Sequence, residues 1–491
     1  MVITHNGNIL MNGGVVLNKI ATSPSPSFSN QYSMAFDGVD DYVDVGNLNI
    51  DLTTFSVSCW FKGANLHTGV QKRLFDFRTT TRSSNKMCIL FNGTSAYGSV
   101  PANSISVLDW SSAQNINTAW NTNDNDKWNN VVLTVNNTNL ELFLNGVSIV
   151  SGTITRDDLA GIGMNIGSNA AQSNYFFPGE IDETAIFDYT LTTQNASDIY
   201  NDGIPTDLTS LSPIAWYRMG DSATWKSPQW LLPSNENKDK VSNYSMAFDG
   251  VDDYINLGTD SSLDIFGGDF TISLWAKWGA QTTNSNGIVS FGANSDKAMV
   301  GLGFSTNYGK ITFATPNLTP NGALYDMGSG YDDNQWHNII CTFSGNSPAT
   351  YFRAVYVDGV DITSTASISN LGVGNSNDIG VRDRGNQNRY FKGNIDDVSL
   401  FNRVVTNSER SILSTEPSDL TSLNPVSWYR MADNSTFSTN WTVPDEVGTN
   451  DGTSANMTIE DRIGDAPNSI NNALSLNMDL IDRVEDTPPT P

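Results

Sequence analysis

Residues Tyr32–Tyr42 read YSMAFDGVDDY, and the same eleven residues recur unchanged at Tyr244–Tyr254, 212 positions later. Landmarks follow in the same order after each copy. Phe55–Gly63 (FSVSCWFKG) is answered by Phe270–Gly279 (FTISLWAKWG), and Trp128–Val135 (WNNVVLTV) by Trp336–Phe343 (WHNIICTF). Leu140–Val147 (LELFLNGV) is answered by Arg353–Val360 (RAVYVDGV), and Gly179–Asp188 (GEIDETAIFD) by Gly393–Asn402 (GNIDDVSLFN). DLTSLSPIAWYRMGD at Asp207 pairs with DLTSLNPVSWYRMAD at Asp419. Offsets stay between 208 and 215, so length changes are confined to loops, as expected for two copies of one globular fold.

Within each copy the apolar residues have the two-residue period of strands: Phe55, Val57, Cys59 and Phe61 alternate with Ser56, Ser58 and Trp60. Asn145-Gly146 and Asp358-Gly359 are two-residue hairpin turns, because those pairs tolerate the positive φ that a type I′ turn needs. One short helix per copy is predicted. Thr406-x-x-Glu409 is a capping box before Ile412 and Leu413, and Thr192 or Thr193 opens the equivalent turn, which ends near Gly203. The reading is all-β, with each copy closed as two packed sheets that bury both apolar faces.

Composition agrees and excludes several classes. In 491 residues, 38% are apolar and 10% aromatic, enough for two or three cores. A net charge of −26 repels phosphate backbones, which argues against a nucleic-acid partner. Cys59, Cys88 and Cys341 are widely spaced, lack a CxxC pair and sit in strand-like runs, so they read as buried thiols. No run of about eighteen apolar residues predicts a membrane span, and MVITHNGNILMNGGVV does not resemble a secretory signal.

The FDGVDDYV, WxxV, LxLxxNG and GxID(E/D) series, followed by Ile-Phe or Leu-Phe and a short helix, resembles the LamG-like jelly-roll family of the concanavalin A-like lectin and glucanase superfamily. The resemblance covers about Tyr32 to Asp433 and implies two tandem jelly-roll β-sandwiches with short terminal segments. Boundaries are expected at 31–204 and 244–416, flanked by an anchoring segment and linker (1–30), a WYRM strand and linker (205–243), and a WYRM half-unit with a disordered tail (417–491). The sequence leaves open whether each WYRM strand closes the preceding domain or opens the next. An orphan half-unit would pack on a neighbouring subunit and favour a homo-oligomer.

Glucanases of that superfamily carry three carboxylates on one strand face. Here Glu180 and Asp182 keep two, Thr184 and Ala185 stand where the third belongs, and Asn394 replaces the glutamate in the second copy, so catalysis is not expected. His5, His67 and His337 lie in unrelated segments without metalloprotease or triad context, and Gly303–Lys310 misses the P-loop spacing. Many members hold Ca²⁺ at the sandwich rim. The resemblance implies Asp37, Asp40 and Asp41 with Asp182, and Asp249, Asp252 and Asp253 with Asp396, as its ligands; the alternative is that Asp37-Gly38 and Asp249-Gly250 are plain turn formers. For glycans, Trp110 and Trp120 in the first copy and Tyr325 and Tyr331 in the second are the candidate aromatic platforms.

The repeated units also resemble surface proteins of tailed bacteriophages, which fold in the host cytoplasm. The expected role is therefore a non-enzymatic virion surface protein, a fibre or decoration, that adheres to glycans. Residues 1–30 would then dock on other virion proteins. A bacterial surface or secreted adhesin, at the cell surface or outside it, is the alternative, and a polysaccharide-cleaving enzyme ranks third.

Overall fold

The computed structural model describes residues 28–489 except 49, 51–52, 80–84, 111, 156–161, 170, 282–285, 293–297, 303–309, 315–323, 328, 345–351, 364–366, 370–375, 383–388 and 470. It also describes the backbone of a three-stranded antiparallel sheet formed by Ile3–His5, Asn8–Met11 and Val15–Leu17. The linker Thr22–Ser27, residues 303–309 and the side chain of Tyr325 lie outside the described residues.

Each repeat folds as a sandwich of two antiparallel sheets. In the first, the back sheet runs Val147–Thr153, Asn139–Leu144, Asn129–Asn136, Thr54–Gly63, Pro178–Phe187, Ser33–Asp37 and Arg483–Val484. The front sheet runs Gln114–Ala119, Ser104–Asp109, Asn85–Asn92, Lys72–Thr79, Ile162–Ile166, Tyr42–Asn47, Ala473–Leu476, Gln229–Leu232 and Thr224–Lys226. Alternation places Phe55, Val57, Cys59 and Phe61 against Phe75, Phe77, Ile89 and Phe91 in one core. The predicted hairpins form, with Asn145 and Gly146 at φ 52° and 75° and Asp358 and Gly359 at 50° and 77°. Helices Thr193–Tyr200 and Asn407–Thr415 start at capping boxes on Thr192 and Thr406. All three cysteines are buried.

The WYRM strands belong to the domains they follow. Thr184 pairs with Tyr217 and Val398 with Tyr429, so each short strand extends the back sheet of its own sandwich.

The C-terminal stretch departs from the expected half-unit. Gly452–Ala455 and Arg462–Ile463 pair with Tyr254–Asn256 and Ser245–Met246 and complete the second sandwich. The chain then returns to the first, where Ala473–Leu476 pairs with Tyr42–Asp44 and Arg483–Val484 with Ser33–Met34. The first sandwich is therefore discontinuous in sequence, with the whole second repeat lying between its strands Gln229–Leu232 and Ala473–Leu476. The two closing segments make matching contacts. Asn456 and Asn477 donate to the carbonyls of Asp252 and Asp40 at 2.9 and 3.0 Å, and Met457 and Met478 enter the two cores. The strand donation that suggested an oligomer thus occurs within the chain. Nor is the tail loose at its start, because Asp486 accepts from Lys62, Trp128 and, through its carbonyl, Ser33.

Candidate functional site

The acidic turns repeat atom for atom. Asp37 Oδ1 accepts from the amides of Val39 (2.6 Å) and Asp40 (3.3 Å), and Asp41 Oδ2 accepts from the Asp37 amide at 2.9 Å. In the second copy the distances are 2.7, 3.3 and 2.9 Å for Asp249 and Asp253. Within each set, one carboxylate oxygen per residue lies within 4.8 Å of the others. Asp37 and Asp40 are exposed, whereas Asp41 is buried and is pushed up to about 7 by desolvation, with further repulsion from Asp37. Asp253 is pushed up to about 6 for the same reasons. The donors are hard oxygens of the kind Ca²⁺ takes, although Asp37 and Asp249 already cap their turns.

Asp182 and Asp396 do not join these turns, which corrects the expected four-carboxylate sets. Asp37 sits opposite Pro178, and Asp182 lies four residues further along that strand, about 13 Å away. Both are fully buried at a joint instead. A bulge with Glu183 at φ 45° turns Asp182 and Glu183 inward together, and Asp396 and Asp397 repeat this. Asp182 accepts from Asn30 at 2.9 Å, and Glu183 accepts from the Trp216 indole at 2.6 Å and from Arg218 at 3.1 Å. Asp221 accepts from the amides of Gln31 and Tyr32. In the second copy Ser242, Trp428 and Asp433 take the same places. WYRMGD and its counterpart WYRMAD are therefore locks that tie the residues just before Ser33–Asp37 and Ser245–Asp249 to the strands Pro178–Phe187 and Lys392–Phe401, and Phe28–Asn30 of the expected anchoring segment is built into the first.

The aromatic candidates divide. Trp120 is a core residue, 6% exposed and packed on Phe61 and Phe91, so it offers no platform. Trp110 lies on the outer face of the front sheet. The buried Arg73 guanidinium sits 5.0 Å from its ring centroid and 5.3 Å from that of Tyr175, while Tyr97 meets Trp110 edge-on at 6.0 Å. Arg73 is itself fixed by Cys88 Sγ and by Asp76 at 3.9 Å. Tyr97 is 39% exposed, and Ser99 and Asn115 form a hydrogen-bonded pair beside it. Sequence reasoning missed Tyr97, Tyr175 and Arg73, which come from three separate segments and carry no motif.

In the second sandwich Tyr331 meets His337 edge-on at 5.1 Å. Burial alone would lower the His337 pKa, but bonds to Asp358 (2.7 Å) and Asp333 (3.1 Å) outweigh it and hold the ring protonated above the usual histidine range. Among the described residues no helix is long and apolar enough to cross a membrane.

A family model described as the concanavalin A-like lectin/glucanases superfamily matches residues 37–197 and again 249–409. The chain belongs to this superfamily. Both matches stop short of the WYRM strands and closing segments, which complete the sandwiches outside them. No curated protein sequence matches. Among solved structures the chain is similar to a putative carbohydrate binding protein from Bacteroides ovatus, at 13% identity and TM-score 0.34, over 85% of this chain and 95% of that one. It is also similar to domains LG4-5 of the mouse laminin alpha1 chain, at 12% identity and TM-score 0.25, over 76% and 89%. A SAP-like pentraxin from Limulus polyphemus matches at 14% identity and TM-score 0.29, over 35% and 82%.

Proposed function

We propose that this chain is a non-enzymatic glycan-binding protein whose first sandwich presents Tyr97, Trp110 and Tyr175 as a sugar platform. The observation that carries this reading is the Arg73 guanidinium set between Trp110 and Tyr175. It fixes two rings from different loops before any ligand arrives, so little order remains to be gained on binding. Ser99 and Asn115 supply hydroxyl-matching groups on segments next to Tyr97 and Trp110, as an orienting rim requires. The non-enzymatic part rests on the broken carboxylate series and on Asp182, whose burial and bond to Asn30 commit it to the strand lock. In the same reading the two acidic turns hold Ca²⁺ through Asp37, Asp40 and Asp41 and through Asp249, Asp252 and Asp253.

The finer part of the proposal is a place on the surface of a tailed-bacteriophage virion, supported by the resemblance of the repeated FDGVDDYV and WYRMGD units. A glycan array probed with the full chain and with Tyr97→Ala tests the binding function: bound glycans that drop out in the variant support it, and an array without bound glycans contradicts it. Antibody labelling of purified virions tests the location, and label confined to the unassembled fraction contradicts it.

A further inference from the structure

The return of the chain from the second sandwich to the first creates a cleft of about 410 Å³ between them. One wall carries Asp44, Asn47 and Arg78 of the first sandwich, with Gln229 beside them, and the facing wall carries Glu460 and Arg462 of the second. Leu474, Leu476, Ile459 and Ile463 add apolar surface. The cleft exists because the closing segment of the second sandwich ends at Ile463 and the strand that re-enters the first begins at Ala473.

Its polar groups are held rigidly. Arg78 pairs with Asp44 and donates to Asn165 at 2.9 Å and to the Thr79 carbonyl at 3.3 Å. Arg462 is 1% exposed, lies 4.5 Å over the Trp441 ring and donates to Gln229 at 3.3 Å and to the Ser435 carbonyl. Its Nε is buried without a hydrogen-bond partner. Two guanidiniums face two carboxylates, so the cleft is close to neutral, and Asp44 and Glu460 oppose a phosphate or sulfate. Planar groups that set donors beside acceptors, over apolar patches, suit a molecule dense in hydroxyls with a C–H face. The volume lies within the range of about 300–1,000 Å³ typical of small-ligand pockets, which also favour domain interfaces.

We infer that this cleft is a second carbohydrate site, separate from the Tyr97–Trp110–Tyr175 platform, and that it takes a neutral mono- or disaccharide contacting both sandwiches. The inference rests on the glycan-binding reading. It does not depend on the aromatic platform being the site of that binding.

The test is saturation-transfer NMR on the full chain with glucose, galactose, mannose, N-acetylglucosamine and their disaccharides. It compares the wild type with the double variant Asn47→Ala/Glu460→Ala and with Tyr97→Ala. Both rim residues are exposed, and an unchanged melting temperature confirms that the double variant folds. At least one sugar is expected to keep giving signal in Tyr97→Ala, where the platform is removed, and to bind about tenfold more weakly to the rim variant. Signal that disappears in Tyr97→Ala and persists in the rim variant overturns the cleft site and leaves the platform standing. Silence from every small sugar overturns the cleft site as well, and the glycan array then decides separately whether the platform binds longer chains.

Discussion

The indole N–H of Trp128 donates to Asp486 at 2.9 Å across 358 residues of sequence, and that of Trp336 donates to Asp465 at 3.0 Å across 129. The same carboxylates bind Lys62 and Lys277. Each sandwich is thus latched by an aspartate just beyond its last strand. For the first sandwich that latch comes from the far end of the chain.

Removing residues 475–491 is therefore expected to open the first sandwich and spare the second, because Ala473 and Leu474, which contact Tyr244 and the second core, stay in place. Met478, 1% exposed in the first core, leaves with the segment, and Met478→Ala alone should cost about 2–4 kcal/mol. Hydrogen exchange resolved by peptide checks this: Ser33–Asp37 and Tyr42–Asn47 should lose protection while Ser245–Asp249 keeps it. Equal loss in both sandwiches would mean that they unfold as one unit.

The strand locks predict a paired mutational effect. Trp216→Phe leaves Glu183 without its indole donor, and Trp428→Phe does the same to Asp397, so each should cost about 2 kcal/mol in a buried setting. Chemical denaturation of the two variants would show this, and a cost below experimental error in both would reduce the WYRM motif to packing.

Much of the fold was legible because its signals are local. Strand alternation, the Asn145-Gly146 and Asp358-Gly359 turns and the Thr406–Glu409 capping box each act within a few residues. The closing segments were not read. Their strands are two to four residues long, too short for periodicity, and their partners lie hundreds of residues away. The signal was nevertheless present, since Asn456-Met457 with Asp461-Arg462 repeats as Asn477-Met478 with Asp482-Arg483. Of the proposed site, the sequence singles out the acidic turns and Trp110, and their roles there are tested below. Asp182 was misplaced because sequence gives no register between distant strands, and Trp120 because an aromatic residue on a strand serves the core more often than a surface.

Stability should rise on mild acidification. Burial raises the pKa of Asp182 and Asp396 well above the carboxylate range, of Glu183 and Asp397 to about 7, and of Asp433 to about 6. Between the unfolded carboxylate value near 4 and these folded values, the native state binds more protons. The stabilisation is fully present below the former and is lost as pH rises through about 6–7. The melting temperature should thus be higher at pH 5.5 than at pH 8, with a smaller difference in Glu183→Gln. A higher value at pH 8 would contradict the lock electrostatics.

Calcium binding, if the acidic turns provide it, should strengthen from pH 6 to pH 8 as Asp41 and Asp253 ionise. Titration calorimetry with Ca²⁺ alone should lose one site in Asp41→Asn and the other in Asp253→Asn. Retention of both sites in the double variant would reduce these residues to turn formers.

The most direct test of the glycan-binding account is titration calorimetry of an array-selected glycan against the wild type and Tyr97→Ala. The account predicts about tenfold weaker binding in the variant, the size of one lost aromatic contact, with the glycan recovered intact afterwards. Unchanged affinity, or recovery of a shortened glycan, would contradict it.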